Sequence, residues 1–370
     1  MLFFKWSLLV TLFAAVTIAT PTEKRHDKYI AYPIEHVDHS SLAKRYESDT
    51  FDGFAGSGAR YITKLKVGST KQEVAVIIDT GSWALNFPSI DAKCGGKACP
   101  ADVAFDPKQS TTYKNYSTVS KSYYGSGGTT HAFGFKSADD FYFDNGDKLP
   151  NFEFTLVNET SSPRGIFGIG YNTNSNTSYI LATKKAGYIN QAGFSIYSGP
   201  DDKGAFLLGG VDKAKYEGEL ALYESKLAVP AKSITTANGT VLEFPSVLAF
   251  DTGSAGLILD PEIVDQIFRE VRDEKGKISC DLALSGNKKF QFDLGQGILI
   301  EVPYSDAFYW NADKTNCQTR LGSTGRHGAT QNVGVPLLKH VFLTHNYDTG
   351  KLGVAPVKHT DESNIVDFWF

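Results

Sequence analysis

The sequence has little charge imbalance, few cysteines and few stretches with helical periodicity. Asp, Glu, Lys and Arg make up 21% of 370 residues and the net charge is −4. No basic surface is available to neutralise phosphates, so nucleic acid is excluded as a partner. Four cysteines in 370 residues are too few for a disulfide-dense small scaffold but enough for two bridges. Beyond the N-terminus no apolar run approaches the ~18 residues of a membrane-spanning helix. The C-terminal DESNIVDFWF also lacks the long apolar tail that precedes lipid attachment. Nucleotide-cradling GxxxxGKS/T, zinc-binding HExxH and serine-nucleophile GxSxG patterns are missing. Neither a cofactor nor a metal is expected, nor a stable membrane anchor.

The N-terminus has its own grammar. Lys5 supplies a positive start, Leu8 to Val16 an apolar stretch, and Thr17-Ile18-Ala19 a small-residue cleavage pattern. Residues 1–20 therefore read as a secretory signal, and the product is expected outside the cell, a vacuole being the other destination. Residues 21–45 read as a propeptide ending in the dibasic pair Lys44-Arg45, with Lys24-Arg25 as a rival cut site for a basic-specific maturation protease. This segment holds five Lys/Arg against four Asp/Glu, and the signal adds one Lys, so the remainder from Tyr46 is left at −6. Three of the eight histidines (His26, His36, His39) fall in it, and histidine gains charge as pH falls toward 5.

From Tyr46 on, short apolar or alternating runs are separated by turn residues: Arg60–Val67, Val74–Ile78, Phe141–Phe143, Phe152–Val157, Phe206–Leu208 and Gly297–Val302. With 25 Phe, 18 Tyr and 35 Gly, this pattern predicts an all-β protein with many short strands. Asn145-Gly146 reads as a hairpin turn. Helices are predicted at Ser178–Ala186 and after Asp260-Pro261, where Ile263, Val264, Ile267, Phe268 and Val271 share one face.

One motif occurs twice. Val76-Ile77-Ile78-Asp79-Thr80-Gly81-Ser82 returns as Leu248-Ala249-Phe250-Asp251-Thr252-Gly253-Ser254, an apolar strand end followed by DTGS. Each copy sits in its own half of the chain, which implies two related lobes that each contribute a carboxylate. Glycine permits a sharp turn there. Two carboxyls facing each other cannot both ionise cheaply, so they share a proton over an acidic range. One can then act as base on a water while the other donates to a substrate carbonyl.

These motifs, with GIFGIGY at 165–171, FLLGGVDKAKYEGEL at 206–220 and YDTGKLGVA at 347–355, resemble the pepsin-like aspartic proteases, closest to the fungal secreted branch of candidapepsin and yapsin type. The resemblance covers essentially the whole chain after the propeptide. It implies a bilobal β fold, here 46–222 and 223–370, with a cleft between lobes that takes an extended peptide or protein substrate as an added strand. It makes Asp79 and Asp251 the catalytic pair. Thr80 and Thr252 match hydroxyls that bridge the two loops around Gly81 and Gly253, and Ser82 and Ser254 match hydrogen-bonders of the carboxylates. Tyr124-Gly125-Ser126-Gly127 matches the flap hairpin, with Tyr123 one register away. A zymogen active in acid is implied, whose basic prosegment covers an acidic cleft at neutral pH.

The sequence departs from that pattern in places. Asn86 stands where many relatives carry a flap-bonding Trp, Ser126 where several carry Asp, and Val333-Gly334-Val335 where many have Leu-Gly-Asp. The flap serine should weaken any preference for Lys or Arg near the cut bond. Cys94 and Cys99, and Cys280 and Cys317, lack neighbouring His ligands for zinc, so two disulfides are expected in an oxidising compartment. Asn115, Asn158, Asn176 and Asn238 begin N-x-S/T sequons and are candidate glycosylation sites. The main reading is a monomeric aspartic endopeptidase. Its rivals are a catalytically weak pepsin-like binding protein, toward which Asn86 points, and a narrow processing enzyme.

Overall fold

The computed structural model describes residues 28–37, 60–125, 128, 130–199, 203–311 and 313–370. The signal (1–20), both dibasic pairs (Lys24-Arg25 and Lys44-Arg45) and flap residues Ser126 and Gly127 lie outside the described residues. Within them the chain is all-β and bilobal, as expected for a pepsin-like fold, and its longest helix, Pro261–Val271, has 11 residues. Asp260 caps that helix by accepting the Glu262 N–H, and Pro261 occupies its first turn, where no backbone donor is needed. Ser178 caps Tyr179–Lys185 in the same manner. Asn145-Gly146 turns the strand Thr130–Tyr142 into Lys148–Thr160, with Gly146 at φ 94°. No helix of the described residues is long and apolar enough to cross a membrane.

A sheet of 14 strands runs through both halves of the chain. Strands Ala221–Glu224, Val341–Asn346 and Lys351–Pro356 join it at one end, next to Gly193–Ser198, so the expected boundary after residue 222 falls inside a strand. Near the middle lies Ile30–Val37, antiparallel to Lys203–Leu208 on one side and Arg60–Val67 on the other. Its inward residues Ile30, Tyr32 and Ile34 are buried, and the Tyr32 and Tyr179 hydroxyls share a hydrogen bond of 2.9 Å. The propeptide was expected to lie over the cleft. Residues 30–37 are instead built into the sheet, because alternation of apolar side chains suits a strand packed on one face.

Two parallel pairings set up the site. Strand Gln72–Asp79 runs beside Gly165–Gly168, with Asp79 opposite Gly168. Leu248–Phe250 runs beside Gln331–Val333 in a five-stranded sheet of the second half. Both are backed by aromatic core, Phe87 stacking on Phe154 at 4.5 Å in one half and Phe290 on Tyr304 at 4.1 Å in the other. The bridges Cys94–Cys99 and Cys280–Cys317 are both formed, the second tying the helix Cys280–Ala283 to the strand Cys317–Thr319. Asn115, Asn158, Asn176 and Asn238 are all exposed.

His345, in the strand Val341–Asn346, is only 1% exposed and its Nε2 has no hydrogen-bond partner. Tyr171, Phe194 and Tyr347 surround the ring. Burial, helped by the Lys226 charge, depresses its pKa from 6.5 to about 4. The unfolded chain therefore binds a proton between those values that the folded chain refuses, and stability falls as pH drops from 6.5 toward 4. His345→Leu should gain stability relative to the wild type on going from pH 7 to pH 4, by on the order of 2 kcal/mol, as read by urea unfolding at both pH values. An equal difference at the two would contradict this.

Candidate active site

The strand ending at Asp79 buries Val74 through Ile78 completely, and Leu248 and Phe250 are buried ahead of Asp251. Rigid strands thus deliver each Asp-Thr-Gly turn to one point. The turns brace each other reciprocally. Thr80 N–H donates to Thr252 Oγ1 at 3.0 Å, and Thr252 N–H to Thr80 Oγ1 at 3.0 Å. Each hydroxyl then donates across to a carbonyl of the other half, Thr80 to Phe250 at 2.7 Å and Thr252 to Ile78 at 2.8 Å. Both threonines are buried, so losing either would strand donors and acceptors away from water.

The glycines are dictated by proximity. A Cβ on Gly81 would stand 2.8 Å from Asp251 Oδ1, and one on Gly253 would stand 2.5 Å from Asp79 Oδ1. Each carboxyl therefore lies over the opposite turn, and the two are within hydrogen-bonding reach of each other. Behind them, Gly334 is pinned under Ser254, whose carbonyl would be 2.1 Å from an added Cβ. This is why the apolar-Gly pair survives in Val333-Gly334-Val335 while the following acid does not matter to the packing.

The supporting donors are not symmetric. Asp79, 7% exposed, accepts the Gly81 N–H at 2.8 Å through Oδ1 and the Ser82 hydroxyl through Oδ2. Asp251 accepts the Gly253 N–H at 2.9 Å. Ser254, expected to bond Asp251, does not do so: its hydroxyl accepts the Gly256 N–H at 3.4 Å. The outer oxygen Oδ2 of Asp251 is taken instead by the side-chain amide of Asn332 at 2.8 Å. Asn332 precedes the Val333-Gly334 pair and was missed by sequence reasoning, since a lone Asn in a short strand carries no local signal. Burial, then the Asp251 charge, raises the Asp79 pKa from 3.8 to about 7 against the pull of its two donors.

On the hairpin formed by Lys114–Tyr124 and Thr130–Tyr142, Tyr124 accepts the Asn86 amide at 2.8 Å. Its neighbour Tyr123 is 62% exposed. Gly125 follows at φ 74°, a conformation glycine adopts without steric penalty. Trp83 is 63% exposed and takes no part in the bond to Tyr124. Among the described residues, Asp260, Glu262 and His327 approach one another closely enough to share a cation. Asp260 is already engaged there by the Glu262 and Gly328 N–H groups and by His327 Nδ1.

Two β lobes joined through cross-braced Asp-Thr-Gly turns, with a carboxyl pair at the joint, define a protein of pepsin-like class. A profile of the eukaryotic aspartyl protease family matches residues 60–357. Candidapepsin of Candida tropicalis is 30% identical over 394 residues, covering 97% of this chain and 96% of its own length. Secreted aspartic protease 5 of Candida albicans is 30% identical over 336 residues (83% and 78%), and candidapepsin-1 of that species 30% over 339 residues (82% and 83%). The chain belongs to the eukaryotic aspartyl protease family, and its enzyme class is that of the aspartic-type endopeptidases.

The raised pKa of Asp79 has a stability consequence. Between 3.8 and about 7 the folded chain holds a proton that the unfolded chain releases, so stability declines as pH rises through that window. Asp79→Asn should be stabilised relative to the wild type at pH 7 more than at pH 4, on the order of 5 °C in Tm, by calorimetry. A difference that does not change with pH would count against the buried pair.

Proposed function

We propose that the chain is a secreted endopeptidase, made as a zymogen, that hydrolyses peptide bonds in acid with a water held between Asp79 and Asp251. The observation that carries this reading is the carboxyl pair itself, two acids from separate halves brought into mutual reach in a buried joint. With one proton on the pair, the ionised carboxylate removes a proton from water while the protonated carboxyl donates to the substrate carbonyl oxygen. The hydroxide adds to the carbonyl carbon, and the resulting gem-diol collapses as the nitrogen takes a proton and leaves as an amine. No covalent enzyme intermediate forms. Thr80 and Thr252 hold the two acids in register, and Tyr124 closes from the hairpin over an extended peptide. Ser126, where several relatives carry Asp, leaves no carboxylate to select Lys or Arg.

The acidic working range follows from the same pair, because losing the shared proton removes the general acid. The names of the relatives, secreted aspartic proteases of Candida, support export, and the N-terminal 20 residues fit a signal. Maturation is read as a cut by a basic-specific protease after Arg45. Since Ile30–Val37 sits mid-sheet, that cut alone would leave the released piece hydrogen-bonded in place, and its departure needs a second, slower step. A monomer acting as a peptidase, glycosylated at some of its four exposed sequons, completes the reading. The binding-protein alternative drew on Asn86, and the Asn86–Tyr124 bond supplies the flap contact it was thought to lack.

Digestion of a peptide library at pH 3 to 7, with and without pepstatin, tests this. The wild type should cleave in acid and be blocked by pepstatin, while Asp79→Asn and Asp251→Asn should each lose at least about 10³-fold in kcat/KM and remain folded. Full activity in either variant would refute the pair. Sequencing the N-terminus of the secreted product should return Tyr46; a start well away from it would refute the cut.

A further inference from the structure

The two acids of the pair are dressed differently, and the difference decides where the proton sits. Resting on the reading of Asp79 and Asp251 as the catalytic pair, we propose that Asn332 is a positioning residue that keeps Asp251 ionised and leaves the shared proton on Asp79. Asn332 lies on the strand Gln331–Val333, between Leu248–Phe250 and Leu257–Leu259. From there its Nδ2 reaches Asp251 Oδ2 at 2.8 Å. An amide NH₂ is a donor only, so this contact favours the charged carboxylate over a protonated one, whose oxygens are the poorer acceptors. Ser82, which occupies the matching place on Asp79, is a hydroxyl that can donate or accept and so serves either state.

The other end of the amide supports the assignment. Asn332 Oδ1 is buried and has no hydrogen-bond partner, a destabilising situation that in a native site calls for a reason. The reason supplied here is that the side chain is aimed to serve Asp251 and not itself. Ser254 makes no bond to Asp251, its hydroxyl accepting the Gly256 N–H instead. Among the described residues, the titratable groups facing the pair are the two acids themselves and Tyr124 on the hairpin, whose phenol burial keeps uncharged.

The test is the pH profile of kcat/KM on a fluorogenic peptide for the wild type and Asn332→Leu. The amide serves the charge of the pair on both sides of the basic limb, so its loss leaves that limb in place. The acid limb of the variant moves up, lowering kcat/KM below it roughly three- to tenfold. A contribution to packing alone would lower kcat at every pH and move neither limb. An active wild type with an unmoved or downward-moved acid limb in the variant overturns the role of Asn332 while sparing the catalytic pair. A wild type that cleaves nothing overturns the pair and this inference with it. Asn332→Ser, too short to reach, repeats the test if leucine is not accommodated; failure of both to fold would make the residue a packing element and end the proposal.

Discussion

The reciprocal bonds between Thr80 and Thr252 carry the rest of the structure. Each threonine uses its backbone N–H to reach the other hydroxyl, and each hydroxyl donates on to a carbonyl at the end of the opposite strand. Four buried hydrogen bonds thus weld two turns that come from separate halves of the chain. A carboxyl pair needs placement to a fraction of an ångström. The glycines follow from the weld: with the turns this close, neither Gly81 nor Gly253 has room for a Cβ beside the opposite carboxyl.

That closeness sets the electrostatics. Burial of Asp79, then the charge of the half-buried Asp251 beside it, penalises the doubly ionised state and displaces Asp79 upward. The donors around them are ranked by what they can do in each protonation state. The Gly81 and Gly253 N–H groups favour charge on both sides, Ser82 donates to Asp79 but as a hydroxyl can also accept, and Asn332 presents Asp251 with a donor alone. A pair that is nearly symmetric in sequence is therefore asymmetric in chemistry, which suits a reaction needing one acid and one base at once.

Much of this was legible from residues alone where the signal was local or repeated. The DTGS copies, the Asn145-Gly146 turn, the Asp260 helix cap, the helix within Ser178–Ala186 and the two cysteine pairs all lie where they were expected. Each is encoded within a few neighbouring residues. What escaped was encoded at long range. Ile30–Val37 shows an inward alternation of Ile30, Tyr32 and Ile34, yet its polar surroundings disguised a central strand whose partners lie as far off as Leu208. Asn332 gains meaning only from a parallel pairing with a strand some eighty residues earlier. Ser254 was assigned by likeness to Ser82, and the likeness failed because an amide from another strand had taken the oxygen it would have served.

The claim beneath all of this is that Asp79 and Asp251 hold one proton between them. Carbon-13 NMR of aspartate carboxyls, assigned with the single Asn variants and followed through a pH titration, reads that proton directly. The account predicts two linked steps for these two signals, with one carboxyl protonated and the other ionised across the intervening range. Two carboxyls that ionise independently, both within the ordinary range of an exposed aspartate, would contradict it.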